Sequence, residues 1–533
     1  MFYENFLKTS EYKKLSLALS GAGACALFGL PAAGRALVYA ALHRSLGRPL
    51  CIVTPGEAEA TRFAADLNTL GVAAAVFPAR DYLLRPIEGA NREYEYRRLA
   101  VLGDLAGGRL MAVCVPSEGL TQFTTPRADF LANTRTLHPG DLLTREEITA
   151  LLLGAGYVRR DRVEGPGQFS IRGDILDLFA PDMDKPARLE FWGDEIDTMH
   201  SFDLATQRRD EPLTKIHVSP AREVLFGAPE EAAAALRAYL KKQRGKKRAA
   251  MEAVMAPDLA QLDAGLLPPS MDKYLAVRYP APATLLDHLD DPLLLIEEPA
   301  SIREADRATA YRRNEELRGL FEDGALCAGL DKFYAEPGWL HAQAGRCRTV
   351  LAENFARSLP DQPLKELINA TAHSLPAWGG EISALVDDLR PMTGRGLCVT
   401  VLAGTERAAA GLAQDLRAKD FAVTTDPSAP PVKSQVQVLP GHLSAGCELP
   451  FANYAVLSAR AFGQSSAQKR KPKRMKDALN SLTDITPGDL VVHQNHGIGR
   501  YAGIQRMEVQ GVTKDYLRIE YDKKDVLYVP VTQ

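Results

Sequence analysis

Three hydrophobic rhythms follow one another along the chain. Up to about residue 120, short unbroken apolar runs alternate with stretches of helical spacing. Ala26-Leu27-Phe28, Cys51-Ile52-Val53, Ala73 to Phe77 and Leu110 to Val115 read as strands buried on both faces, and Arg35 to Leu46 reads as a helix after a loop from Gly29 to Gly34. Strands separated by helices imply a parallel sheet covered on both sides. From Gly156 the period becomes two. Gln168 to Phe179 alternates until Pro181, and Arg188 to Trp192 alternates again before the turn Gly193-Asp194, as expected of an antiparallel β-rich insert. Within that second run Arg188, Glu190 and Trp192 share one face and Leu189 and Phe191 the other, so Phe191 is expected in the core and Trp192 outside it. Residues 228–253 read as helix and Leu293 to Ile296 as a further buried strand. A strand–helix–strand plan returns at Leu397 to Leu402, Thr405 to Ala418, Val436 to Leu439 and Tyr454 to Ser458, and from Asp489 period-two alternation with Gly turns suggests a small barrel.

Length and composition narrow the class. At 533 residues, 46% hydrophobic and 25% charged, the chain is globular and long enough for about three to five domains. A net charge of −3 predicts no global attraction to nucleic acid, so any such contact must be local. Cysteines 25, 51, 114, 327, 347, 398 and 447 form no C-x-x-C pair, and the histidines show no ligand spacing; a disulfide framework and a metal centre are therefore not expected. Leu15 to Gly34 carries no charge over 20 residues, but Gly21, Gly23, Gly29 and Pro31 fit a strand, a tight loop and a helix start better than a membrane span. A cytoplasmic protein without membrane attachment is expected. The run Gly463 to Lys476, with Lys469 to Lys476 densely basic, reads as a linker.

Gly29-Leu30-Pro31-Ala32-Ala33-Gly34-Arg35-Ala36 has the G-x-x-x-x-G-K-[ST] spacing of a phosphate-binding loop. Arg35 replaces the lysine and Ala36 the magnesium-ligating hydroxyl, while Pro31 removes a backbone donor, so a degenerate nucleotide loop is expected. Glu297-Glu298, after the apolar run 293–296, is the best match for the acidic pair such a loop needs. A strand end with solvated acids is the simpler reading.

Two longer patterns carry a family resemblance. Gly156-Tyr157, Gly165-Pro166-Gly167-Gln168-Phe169-Ser170-Ile171-Arg172-Gly173, Glu190-Phe191-Trp192-Gly193-Asp194-Glu195-Ile196-Asp197, Phe202-Asp203 and Thr206-Gln207-Arg208 resemble domain 2 of UvrB-like excision-repair proteins. Gly488 to Ile504, with Asp515-Tyr516-Leu517 and Leu527-Tyr528-Val529-Pro530-Val531, is similar to the RNA-polymerase-interacting domain of CarD-type regulators. That order of modules resembles the transcription-repair coupling factor family. The resemblance implies a multidomain α/β protein: a degenerate P-loop, UvrB-like parallel-sheet core with an inserted β-rich domain, a second small α/β domain, and a C-terminal SH3/Tudor-like β-barrel. The expected divisions are 1–124 (domain 1a), 125–212 (domain 2), 213–355 (domain 1b), 356–462 (domain 3), 463–485 (basic linker) and 486–533 (CarD-like domain).

By the same resemblance, domain 2 recruits UvrA through Arg172, Arg188 and Trp192, and the C-terminal module binds the β subunit of RNA polymerase through an edge strand, Ile504-Gln505-Arg506-Met507-Glu508. Arginine and tryptophan suit an interface. The competing reading pairs the two arginines with Glu190, Asp194 or Glu195 inside their own sheet. Met507 is either an interface contact or a barrel-core residue. The basic linker is a candidate for weak contact with DNA phosphates, a solvated tether being the simpler reading. Lys241 to Arg248 reads as a solvated helix face or helix end. The stretch from Phe77 to Tyr94 is too short for the long damage-verifying hairpin of UvrB. The chain stops directly after a strand pattern and reads as a fragment whose relatives continue into a DNA-translocating motor that holds ATP and Mg²⁺. No cofactor, metal or catalytic residue is expected in these residues. The alternative is a UvrB-type ATPase that contacts damaged DNA directly.

Overall fold

The first rhythm becomes a seven-stranded sheet. The computed structural model describes residues 2–85, 92–355, 363–376, 378, 381–459, 487–493, 497–509, 512–521 and 526–530. Strands β1 (Gly23–Phe28), β2 (Leu50–Thr54), β3 (Ala74–Val76) and β4 (Ala112–Pro116) alternate with helices Ala32–Leu46, Glu57–Thr69 and Glu93–Ala106. Every residue of β2 and β4 is buried, as a sheet covered on both faces requires.

The chain then leaves this sheet for the insert. Here β5 (Arg135–Leu137), β6 (Val158–Arg159), β7 (Gln168–Arg172), β8 (Ile175–Phe179), β9 (Ala187–Trp192), β10 (Glu195–Phe202), β11 (Arg209–Pro212) and β12 (Ile216–Val218) follow in order. Six of them form a sheet, β11-β10-β9-β8-β7-β6, and β12 pairs with β5. The continuous alternation expected from Gln168 to Phe179 is a hairpin, turning at Gly173-Asp174 with Gly173 at φ +60°. Alternation survives because a two-residue turn preserves the faces of both strands.

The chain returns to the first sheet through β13 (Leu293–Glu297), β14 (Arg348–Glu353) and β15 (Leu364–Asn369). The order is β15-β1-β14-β13-β2-β4-β3, and every pairing is parallel. Residues 228–253, expected as one helix, fall into Pro229–Lys241 and Gly245–Asp263, separated near Gly245 at φ +59°. The basic run 241–248 therefore straddles a helix end.

A second α/β sheet is built from β16 (His373–Leu375), β17 (Cys398–Leu402), β18 (Val423–Thr424), β19 (Val436–Leu439), β20 (Gly446–Leu449) and β21 (Tyr454–Ser458), in the order β16-β20-β21-β17-β19-β18. Thr405 caps its helix Glu406–Arg417 by accepting from the Ala408 N–H. The two α/β sheets share one core, in which Leu37 and Leu42 are clustered with Leu439, Leu449 and Tyr454. Asp66, buried on helix Glu57–Thr69, reinforces that join by accepting from the Ser444 N–H at 2.7 Å and its hydroxyl at 2.6 Å. All seven cysteines are free thiols, and all but Cys347 are fully buried.

Residues 1–464 form one compact unit and 465–533 another. In the second, β22 (Leu490–His493), β23 (Gly497–Val509), β24 (Val512–Glu520) and β25 (Val526–Pro530) make an antiparallel sheet in sequence order around Val491, Tyr501 and Ile519. Among the described residues the four strands form an open order with no pairing of β25 onto β22, so the expected barrel is not shown. No helix among the described residues is long and apolar enough to cross a membrane.

Candidate functional site

The segment with phosphate-loop spacing connects β1 to its helix in three residues, because the helix starts at Ala32 rather than after Gly34. Pro31 at the N-cap fixes the turn and offers no N–H. Gly29 sits at φ +84°, where a Cβ would lie 2.9 Å from the Ala370 carbonyl oxygen, so close approach by the chain after β15 requires this glycine. Gly34 lies within the helix, against Leu449 of β20. Arg35 is buried, with Nε 3.0 Å from Glu297 and Nη1 2.8 Å from Glu298. The Tyr39 hydroxyl donates to Glu297, and Ala36 is fully buried in the core. Sequence spacing thus found Arg35 and the Glu297-Glu298 pair but not their contact. The expectation of solvated acids fails for Glu297, which is 2% exposed, and burial raises its pKa despite the opposing Arg35.

The insert carries a different arrangement. Its inner face, with Phe169, Leu176, Leu178, Leu189, Phe191, Ile196 and Met199, closes a hydrophobic core. On the outer face, the pairing Arg172↔Ile175↔Glu190 makes one row and Ser170↔Asp177↔Arg188↔His200 the next. Asp177 lies at the centre, fully buried beneath the two arginines. Arg188 grips it twice, Nε to Oδ1 at 2.6 Å and Nη2 to Oδ2 at 2.9 Å, and Arg172 reaches Oδ2 at 2.7 Å. The Phe202 ring lies 4.8 Å from the Arg188 guanidinium carbon. Neither arginine uses the acids named from the sequence; Glu190 is taken by Arg209 instead. Trp192 is 82% exposed while Phe191 is buried, as the alternation predicts.

Asp177 is the residue that sequence reasoning missed. The signal was present: a two-residue turn at 173–174 sets Arg172 opposite Ile175 and places Asp177 two positions on, on the same face. The pairing of β8 with β9, which brings Arg188 opposite Asp177, is tertiary information.

In the C-terminal unit, Ile504 to Glu508 lie in β23 and pair with Leu517 to Thr513 of β24. β22 pairs only with 497–500, so among the described residues the other edge of 504–508 meets no strand. The side chains of Ile504, Arg506, Met507 and Glu508, and the basic linker 463–485 up to residue 486, lie outside the described residues; so do 86–91, within the stretch expected to be too short for a hairpin.

An α/β core with a β-sheet insert and a separate strand module is a recognisable plan, and two family models match it: the UvrB interaction domain at residues 136–224 and the CarD-like/TRCF RID domain at residues 485–533. Beyond these modules, the chain is homologous to transcription-repair-coupling factors over 95% of its length. It is similar to that of Bacillus subtilis (strain 168), 29% identical over 524 residues, and to those of Staphylococcus aureus (strain MRSA252) and Staphylococcus haemolyticus (strain JCSC1435), each 24% identical over 525 residues. The chain spans 44% of the length of these relatives and matches their N-terminal part.

Proposed function

We propose that this chain acts in transcription-coupled DNA repair as a two-partner adaptor, taking UvrA on the outer face of the insert and the β subunit of RNA polymerase on the free edge of β23. The observation that carries the reading is the joint occurrence of a UvrB interaction domain and a CarD-like/TRCF RID domain in one chain homologous to transcription-repair-coupling factors. The insert supports it with an exposed Trp192 on the same sheet face as two arginines held by one buried carboxylate, residue types of the kind that form interface hot spots. A strand edge that is unpaired among the described residues supports docking by strand addition, in which backbone hydrogen bonds supply affinity and alternate side chains supply specificity.

ATP chemistry is assigned to the rest of the full-length relatives. The residues of the Gly29–Ala36 segment do not fit a nucleotide: the connection after β1 is three residues long, Pro31 lacks a donor, Ala36 is buried without a hydroxyl, and Arg35 is committed to Glu297 and Glu298.

Capture assays with purified UvrA and β subunit test the adaptor. Arg172→Ala and Trp192→Ala are expected to remove UvrA and spare the polymerase, and Met507→Arg the reverse. Retention of both partners by every variant, or failure of the unmodified chain to capture either, refutes the assignment.

A further inference from the structure

The insert and the core meet around a cavity of about 400 Å³, walled by insert residues 153–160, by Tyr96 and by the segments 222–227 and 267–272. Behind it lies a buried ionic cluster. Arg98 bridges Glu223 at 2.6 Å, Arg80 bridges Asp272 at 2.8 Å and Glu223 at 3.2 Å, and Arg92 bridges Glu95 at 2.7 Å. The fourth guanidinium, Arg222, reaches only Glu95, at 3.7 Å, a carboxylate already held by Arg92 and lying 3.8 Å from Arg80. Arg222 Nη1 is buried with no hydrogen-bond partner among the described residues. Arg80, Arg92, Arg98 and Arg222 therefore face Glu95, Glu223 and Asp272, one positive charge in excess.

Titration of Glu95 does not supply the missing negative charge. Burial opposes the Glu95 carboxylate, yet Arg80, Arg222 and Arg92 hold it at about 2, so it is already ionised at neutral pH. Burial pulls Arg222 below its usual range, and Glu95 opposes this only in part. Arg222 keeps about 24% of its side chain exposed, but its buried Nη1 lacks a partner, which is costly, and a bound anion offsets that cost. The cavity is shaped for one. Arg160, with an exposed side chain, joins Arg92 and Arg222 as a third cation in its lining, against the single carboxylate of Asp272, and Tyr96, Tyr157 and Phe226 give it aromatic walls. Its volume falls in the range of small-ligand sites, and arginine is the side chain best matched to phosphate oxygens.

We propose that this cavity binds a phosphoryl group, held by Arg222 and Arg160, carried either by a free nucleotide or by the backbone of single-stranded nucleic acid. The cavity lining shares no residue with the UvrA and polymerase surfaces proposed above, and the proposal does not depend on them.

Calorimetric titration and thermal melting of the whole chain test it, with inorganic pyrophosphate, ADP and an oligo(dT) as probes against chloride at matched ionic strength. At least one probe should bind and raise the melting midpoint. Arg222→Gln should weaken that binding at least tenfold without lowering the unliganded midpoint, because it removes the excess charge. Arg160→Gln, a surface change that does not threaten folding, should weaken it several-fold. Preference for ADP identifies a nucleotide and preference for oligo(dT) a nucleic-acid backbone. Binding of no probe, or equal binding by the unmodified chain and both variants, overturns the proposal.

Discussion

The two arginines on the insert differ in what they do for the fold, and that difference is measurable. Arg188 has a side chain 13% exposed and makes two of the three charge-assisted bonds to Asp177, itself 1% exposed; Arg172 makes the third and is 51% exposed. Removing one partner of a buried pair costs ~3–5 kcal/mol, and Arg188→Ala should fall near ~3 because Arg172 still holds the carboxylate. Lost stacking on Phe202 adds at most ~1 kcal/mol. For the half-exposed Arg172 the solvent-screened value is below ~1 kcal/mol. A chain with several cores does not unfold in one step, so the readout is local: hydrogen exchange of the β7–β9 amides by mass spectrometry. Exchange in Arg188→Ala should accelerate by about 100-fold, and in Arg172→Ala by less than about tenfold, at 1.4 kcal/mol per decade. Equal effects, or less than ~1 kcal/mol for Arg188→Ala, would refute the clamp. The consequence for binding studies is direct. If the proposed UvrA surface holds, loss of binding in Arg172→Ala reports on the interface, whereas loss in Arg188→Ala mixes interface with fold.

Three further outcomes are expected. Trp192→Ala should leave thermal stability within ~0.5 kcal/mol, since the ring is exposed, and a larger drop in a melting experiment would mean that it packs. Arg35→Ala leaves Glu297 buried with Tyr39 as its remaining donor and should cost ~3–5 kcal/mol, read locally from hydrogen exchange of the β1 and β13 amides; a loss below ~1 kcal/mol would disprove the buried bridge. Burial pushes Asp66 up to about 6, although the two Ser444 bonds oppose it. A folded pKa above the unfolded value of ~3.9 means that the stability it contributes is present below pH ~4 and lost as pH rises through 6. Asp66→Asn should therefore melt higher than the unmodified chain at pH 7.5, by up to ~3 kcal/mol, and alike at pH 4. A lower midpoint at pH 7.5 would refute the sign.

By itself the sequence determined much that is local. Apolar runs marked β2, β4, β13 and β21, and a run broken only by Gln437 marked β19, because strands buried on both faces are predominantly apolar. Alternation put Phe191 inside and Trp192 outside because a pleated strand has period two. Module order pointed to the family before any coordinate did. What only the tertiary structure decided depends on contacts between residues far apart in sequence. Arg35 meets Glu297 across 262 positions because β1 and β13 flank β14 in one sheet. Asp177 meets Arg188 because of β8–β9 register, and Gly29 is needed because the chain after β15 passes close to it. The start of the helix at Ala32 was hidden for the same reason. Spacing alone fits a loop to Gly34, whereas packing of Gly34 against Leu449 and burial of Arg35 favour an earlier turn. Periodicity reports which face of an element is buried; only the assembled sheets report what that face is buried against.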